Sequence, residues 1–318
     1  MTMKVLMTGG TGFLGSHLLR AIESQFSIVM VGRTKPKSYD GCFLNYELEA
    51  QDLSYLNIAD IDVVIHSAAR VHIMDDTADN PLRAFTLSNT DGTLRLAKYA
   101  AKSGVKRFIF ISSIKVNGES TALGLPFKPD DPFVPTDPYG LSKYEAELGL
   151  LKIAEQTGME VVIIRPPLVY GPGVKANFAS LLNLVSKGLP LPFACINKNK
   201  RSLVSVNNLV DLIVTCIDHP KAANQVFLVS DDHDISTADM IRHMGKALGK
   251  PSRMLPIPLW CYHLAGKFFG KQDVVDCLVG SLQVDITHTK ETLNWAPPQS
   301  LEDGFKETAE AFLQSKNK

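Results

Sequence analysis

Lys4-Val5-Leu6-Met7-Thr8-Gly9-Gly10-Thr11-Gly12-Phe13-Leu14-Gly15 is the stretch on which the fold turns. Lys4–Thr8 reads as a short buried strand that ends on glycines. Beyond them Leu14, Leu18 and Ile22 recur at four-residue spacing, the stripe of a core-facing helix. Working outward, short β-branched runs at Ile28–Gly32, Val63–His66, Arg107–Ser112 and Glu160–Arg165 read as further strands, each separated by one helix-length segment. Leu94, Ala97 and Ala101 form another such stripe before the Arg107 strand. Strand, helix, strand repetition predicts an α/β chain with a doubly wound parallel sheet covered by helices on both faces. From Gly171 the alternation degrades, Pro172, Gly188, Pro190 and Pro192 crowd together, and a helical part follows. The pattern predicts one domain over residues 1–170, with some later segments returning to it, and a smaller C-terminal lobe over 171–318, joined without a flexible linker.

Composition narrows the function. With 318 residues, 45% hydrophobic and 21% charged, the chain has the profile of a globular protein with a substantial core. Its 33 Lys plus Arg balance 33 Asp plus Glu, which argues against a nucleic-acid groove or a polybasic membrane patch. Cys42, Cys195, Cys216, Cys261 and Cys277 contain no C-x-x-C pair, so neither a disulfide framework nor a metal site is expected, and a reducing cytoplasm fits best. The apolar start, Met1–Met7, is too short for an export signal. The apolar stretch Ile257–Gly270, broken by His263 and Lys267, falls well short of the ~20 residues needed to span a bilayer. It reads as a packed helix rather than one lying on a membrane surface, so no integral membrane segment is expected.

Gly9, Gly12 and Gly15 between the first strand and first helix permit a tight turn and close approach of backbone to a pyrophosphate, whose charge would meet the helix start. A glycine-rich turn without a ligand is the bland alternative; the place in a β/α series favours a Rossmann-like dinucleotide-binding domain. After the second strand, where an acidic residue would take the ribose 2′-hydroxyl of NAD, stands Arg33. A guanidinium fork suits a 2′-phosphate, so NADP is favoured over NAD, the alternative being a solvated arginine. Asp52 and Leu53 are candidates for the adenine amine. Tyr139 and Lys143, at i and i+4, share one helical face, where an ammonium beside a phenol would lower the phenol's pKa toward the range of an acid–base catalyst. Ser112 and Ser113 end a strand at the edge where open α/β sheets bind ligands. Ser113, Tyr139 and Lys143 together form a candidate hydride-transfer site.

These motifs, in this order and over nearly the whole chain, resemble the extended short-chain dehydrogenase/reductases, in their nucleotide-sugar epimerase/dehydratase branch. The resemblance implies that Gly9, Thr11, Gly12, Phe13, Leu14 and Gly15 form the cofactor loop and that Asp52 and Leu53 meet adenine. It likewise implies that Ala68, in His66-Ser67-Ala68-Ala69, lines the cofactor and that Asn89 steadies the central strands and the cofactor. Ser113, Tyr139 and Lys143 match the catalytic triad, and Pro166, in Arg165–Pro172, lies where the backbone meets the nicotinamide. Leu293-Asn294-Trp295-Ala296-Pro297, with Leu301 and Gly304, resembles a structural C-terminal signature. For a UDP-sugar substrate the resemblance points to Asn177 and Phe178, to Leu191 in an extended piece beside the base, and to Arg201 on the diphosphate. A second arginine common later in the family has no counterpart near Val275–Leu282. Family members often pair helices, including the one bearing Tyr139, which implies a homodimer; Leu148, Leu150, Leu151 and Ile153 suit that role and core packing equally.

Related 4,6-dehydratases carry Asp-Glu directly after the Ser/Thr, where this chain has Ile114 and Lys115, which argues against dehydration. Asn117 stands where a tyrosine is common. The remaining chemistry is oxidoreduction at C4 of the sugar. Arg33 tilts the expectation to a UDP-4-keto-6-deoxy-N-acetylhexosamine 4-reductase in surface-polysaccharide synthesis, with a UDP-glucose or UDP-N-acetylglucosamine 4-epimerase as the alternative. A dihydroflavonol- or steroid-type reductase and a non-catalytic NADP sensor are further from the motifs present.

Overall fold

The computed structural model describes residues 2–37, 39–71 and 80–316. Nine strands are described: β1 (Lys4–Thr8), β2 (Ser27–Gly32), β3 (Cys42–Asn45), β4 (Val63–His66), β5 (Arg107–Ile111), β6 (Glu160–Arg165), β7 (Leu168–Tyr170), β8 (Leu203–Ser205) and β9 (Gln225–Leu228). Seven form one parallel sheet in the order β3-β2-β1-β4-β5-β6-β9, and β7 and β8 pair separately. This is the Rossmann-like architecture expected, with its switch in strand order between β1 and β4. β1, β4, β5 and β6 are buried along nearly their whole length, as strands covered on both faces must be.

The helices are α1 (Phe13–Ile22), α2 (Pro81–Phe85), α3 (Gly92–Lys102), α4 (Pro138–Thr157), α5 (Ala176–Ser186), α6 (Val206–Asp218), α7 (Thr237–Ala247), α8 (Leu259–Phe268), α9 (Gln272–Val279), α10 (Thr287–Leu293) and α11 (Leu301–Lys316). α1 and α6 close one face of the sheet, burying Leu18, Ile22, Leu209 and Ile213 against Val5, Met7 and Ile109. α3 and α4 close the other, with Leu96, Ala97, Ala146 and Leu150 against Val64, Phe108 and Phe110. A third core, around Tyr170, Phe178, Leu182, Met244 and Phe305, belongs to the smaller lobe. Strand β9, from beyond residue 170, returns to the large sheet beside β6.

Three features depart from the sequence reading. Strand β3 was not anticipated, and no helix separates it from β2; Cys42 and Asn45 are exposed and Phe43 and Leu44 only half-buried, so no apolar run or clean alternation marks it. Between α2 and α3 the chain winds as a π-helix, Thr86–Asp91, which turns Ser88, Asn89 and Thr90 inward. The stretch Ile257–Gly270 does form a helix, α8, but not a packed one: only Gly266 within α8 is buried, while Trp260, Leu264 and Phe268 face outward.

The turn after β1 explains its glycines. Gly9 has φ +77, and a Cβ there would lie 2.7 Å from the Ala68 amide nitrogen. A Cβ on Gly15 would stand 2.0 Å from the Gly9 carbonyl oxygen, so α1 can approach the end of β1 only without a side chain there. Alanine would improve helix propensity by ~0.5–1 kcal/mol, yet backbone overlap of this kind costs typically ~1–3 kcal/mol. Gly15→Ala should therefore lower stability by ~1–2 kcal/mol, measured as a reduced urea midpoint at unchanged slope; a midpoint equal to or above wild type would refute the packing argument.

Candidate active site

The C-terminal ends of β1, β4 and β5 place three loops along one sheet edge: Gly9–Gly15, His66–Ala69 and Ser112–Ser113. The first two are knitted together. Ser67 Oγ donates to the Thr8 carbonyl at 2.7 Å, and the Ala68 amide donates to Thr8 Oγ1 at 3.0 Å. Gly12 is the N-cap of α1 and no side chain caps that end, while Thr11 and Gly12 are exposed and Phe13 and Leu14 half-buried. Open backbone amides at a helix start, beside glycines whose Cβ atoms would strike backbone, make a cradle of the kind that holds a dinucleotide pyrophosphate.

His66 lies fully buried beneath this edge. Its Nδ1 pairs with Thr8 Oγ1 at 2.9 Å and its Nε2 with Thr93 Oγ1 at 3.0 Å, tying β1, β4 and α3 together. Burial first, and the Lys143 charge second, push its pKa down to about 3, so it stays neutral. Asn89, turned inward by the π-helix, grips Arg70 at both backbone atoms, accepting from its amide at 2.8 Å and donating to its carbonyl at 3.0 Å. The same side chain donates to Ser142 Oγ at 3.1 Å, which fixes the loop after β4 to α4.

Helix α4 carries Tyr139 and Lys143, two of the three residues of the candidate hydride-transfer site. Asp137 caps it by accepting from the Gly140 amide at 3.0 Å, and Pro138 occupies the first turn, where its missing N–H costs nothing. Tyr139 is partly accessible, with its ring 6.0 Å from Phe85 in an edge-on arrangement. The neighbouring Ser113 side chain lowers the phenol's pKa, but the loss of water around the hydroxyl dominates and pushes it up to about 12. Lys143 does not supply the lowering that the i, i+4 spacing predicts. Lys143 is buried, its Nζ donates to the Ile111 carbonyl at 2.8 Å and lies 4.5 Å from the Phe110 ring centroid. Burial depresses its own pKa to about 7, against the supporting charge of Glu147. The ammonium is thus satisfied by the strand rather than by the phenol.

The sequence pattern does not single out Glu147. It continues the 139–143 face by one further turn and is 2% exposed. Arg165, at the end of β6, donates to it through Nε at 3.0 Å and Nη2 at 2.5 Å, and Ser112 Oγ donates to Glu147 Oε1 at 2.5 Å. Arg165 also reaches Asn117 Oδ1 at 3.0 Å and the Pro129 carbonyl at 2.9 Å. Asn117, at the supposed tyrosine position, is therefore a buried member of this network. The available signal was Arg165 itself: a charged residue closing the buried run Val161–Ile164 requires a counter-charge. The amide of Ile114 donates to the Pro166 carbonyl at 3.0 Å, joining the segment after β6 to the Ser113 turn.

The remaining expected residues are more dispersed. Arg33 is exposed immediately beyond β2. Asp52 is exposed and engaged by Ser54, whose amide and hydroxyl donate to it at 2.9 and 3.0 Å, and Leu53 packs into the core. Asn177 is exposed in the first turn of α5, whereas the Phe178 ring is buried against Tyr170 and Phe305, leaving only its backbone for a ligand. Leu191 is buried, with its backbone paired to Arg253 and Leu255. Arg201 Nη1 donates to the Cys277 carbonyl at 2.6 Å, so its guanidinium caps the C-terminal end of α9.

Comparison with known proteins places this geometry. The model of the NAD dependent epimerase/dehydratase family matches residues 5–230. A Vibrio cholerae protein named UDP-glucose 4-epimerase is 58% identical over 321 residues, covering 100% of this chain and 98% of its own. Among solved structures, the Thermotoga maritima UDP-glucose 4-epimerase with UDP-glucose superposes with TM-score 0.79 at 24% identity, covering 99% of this chain and 100% of that one. The Bacillus cereus UDP-glucuronic acid 4-epimerase in complex with NAD gives 0.78 at 22%, covering 98% and 99%.

Removing the Glu147 charge leaves a buried guanidinium without its counter-ion, which costs ~3–5 kcal/mol. Glu147→Gln, similar in shape, should lower the unfolding free energy in urea by that order and depress the Lys143 pKa further. A loss below ~1 kcal/mol would show the pair to be dispensable.

Proposed function

The chain belongs to the NAD dependent epimerase/dehydratase family, and from that membership we propose that it is a UDP-hexose 4-epimerase that retains NAD through its cycle. The observation that carries this reading is the 58% identity, end to end, with a protein named for that activity. The expectation of an NADPH-consuming 4-reductase rests on Arg33, an exposed residue at the tip of β2, and yields to the epimerase alternative. NAD, which the family's name specifies, replaces NADP as the favoured cofactor.

Gly9, Thr11, Gly12, Phe13, Leu14 and Gly15 would hold the pyrophosphate on the open start of α1, with Ala68, Asn89 and Pro166 bounding the cleft and Arg33, Asp52 and Leu53 on the adenosine side. When bound, the nicotinamide supplies a reversible hydride acceptor. The Tyr139 hydroxyl exchanges a proton with the oxygen at C4, and Ser113, beside it, steadies the same oxygen as its charge changes. The cycle uses Tyr139 twice: as phenolate it would take the C4 hydroxyl proton when the sugar is oxidised, and as phenol it would return that proton when the 4-keto sugar is reduced. Burial, which pushes the phenol up to about 12, favours the second state, and the neighbouring Ser113 favours the first. Lys143 orders the helix face and contributes its charge to the site. Asn177, the backbone of Phe178, Leu191 and Arg201 would receive the uridine diphosphate, Arg201 exchanging the Cys277 carbonyl for a phosphate oxygen.

Purified protein incubated with UDP-glucose, UDP-galactose and their N-acetyl counterparts, without added reductant, should interconvert the C4 epimers in both directions. Product formed only with matching NADPH consumption would overturn the epimerase. Tyr139→Phe should lower kcat by ~10²–10⁴ while NAD binding persists.

A further inference from the structure

Lys115 touches both halves of the reactive edge. Ser113 caps a short 3₁₀ turn, Ile114–Val116, and its Oγ accepts from the Lys115 amide at 3.3 Å. With a lone pair engaged in this way, the Ser113 hydroxyl keeps its proton for another acceptor. The Lys115 side chain runs the other way, to the start of α4. Its Nζ donates to Asp137 Oδ1 at 3.3 Å, and that same oxygen accepts from the Gly140 amide at 3.0 Å. Asp137 is the N-cap two residues before Tyr139, so one lysine joins the serine turn to the cap of the tyrosine's helix.

The same Nζ donates to Glu119 Oε1 at 2.8 Å. Glu119 and Asp137 are the two ends of a strap that leaves the large domain and returns to it. Along the strap, the Thr121 amide donates to the Ser281 carbonyl and the Phe127 amide to the Gln283 carbonyl, both at 2.8 Å. Leu282, between them, bonds the backbone on either side of Arg201: its amide donates to the Lys200 carbonyl at 2.9 Å, and its carbonyl accepts from the Ser202 amide at 2.8 Å. Lys115 thus closes the base of a strap whose outer part is fastened beside Arg201. An ion pair as accessible as this one contributes little to global stability, so its consequence is local.

We propose that Lys115 is a positioning residue: its amide and ammonium hold the Ser113 turn against the N-cap of α4, and its charge screens Tyr139 from the Asp137 carboxylate. The inference rests on the reading of Ser113 and Tyr139 as the pair that meets the C4 oxygen. The charged groups facing Tyr139 are Asp137 and Lys143 on α4, Lys115 on the serine turn with Glu119 beyond it, and Arg70, whose guanidinium lies 5.7 Å from the Phe85 ring that packs against the tyrosine. Asp137 pushes the phenol's pKa up. Lys143, with a pKa of about 7, is common to every variant below, so differences among them report the Asp137–Lys115 pair.

Lys115→Met keeps the apolar stem and removes the ammonium. Asp137 is then unopposed, the phenol holds its proton more tightly, and the limb along which turnover rises with pH moves upward. The variant should lower kcat for C4 interconversion about fivefold, with KM within about twofold, at an unchanged melting temperature. The limb should move up by about half a pH unit. Lys115→Arg should restore both, because a guanidinium reaches the same carboxylates. Lys115→Met/Asp137→Asn should return the limb to its wild-type position, since asparagine still caps the helix without the charge. A limb that does not move in Lys115→Met, a change confined to KM, or a limb that stays shifted in the double variant would overturn the proposal. If the wild-type chain turns over no UDP-hexose, the epimerase reading falls by itself. The clamp is then read from amide hydrogen exchange over residues 113–117, which Lys115→Met should quicken about fivefold; unchanged exchange there overturns it.

Discussion

Glu147 and Arg165 form an ion pair sealed between α4 and β6, and the reactive edge of the sheet is arranged around it. Two charges removed from water are costly, and only close geometry with further hydrogen bonds returns the cost. Those further bonds are the ones that matter for the site. Ser112 is spent on Glu147, which leaves Ser113 as the serine that reaches Tyr139. Asn117 is spent on Arg165 and on the Lys128 carbonyl, which closes the chain that follows Ser113. Glu147 also supports the ammonium of Lys143 one turn earlier. The pair thus engages Ser112, leaves Ser113 free of it, and sets how much charge the lysine keeps.

The same low-polarity environment governs His66, Tyr139 and Lys143, in each case against the charged form. His66 is neutral and structural, Tyr139 keeps its proton, and Lys143 stands close to the point at which it would lose one. A helical i, i+4 spacing predicts that a lysine and a tyrosine share a face, but not which of several acceptors the ammonium chooses. Here the free carbonyl of Ile111, at the end of β5, is within reach, and an ammonium buried over the Phe110 ring takes it. Spacing was legible in the sequence; the competition for the proton and the charge was not.

Legibility elsewhere follows the same line. Strands β1, β4 and β6 were readable to the residue because burial on both faces makes them continuous apolar runs. The glycine turn was readable because Gly9 and Gly15 meet backbone, which tolerates no substitute. Strand β3 at the sheet edge, the π-helix that turns Asn89 inward, and Glu147 escaped notice, since each depends on a partner distant in sequence. Arg201 illustrates the remaining gap. A guanidinium suits a phosphate and a helix C-terminus equally, and the sequence could not reveal that the carbonyls of α9 lie beside it.

The overall balance of 33 basic and 33 acidic residues conceals how unevenly charge is placed. At the reactive edge nearly every charge is compensated: Arg165 by Glu147, Lys115 by Asp137 and Glu119. Around α8 the charges are exposed and more loosely matched, His263 lying 3.9 Å from Asp276, and apolar side chains are exposed beside them. Periodicity alone cannot distinguish a helix whose apolar stripe faces a core from one whose stripe faces outward, because both satisfy the same four-residue repeat. What distinguishes them is whether the neighbouring elements have apolar surface left to offer. The large sheet has already spent both faces on α1, α6, α3 and α4, and the third core is filled by Tyr170, Phe178 and Phe305, so α8 is left with its aromatic stripe uncovered.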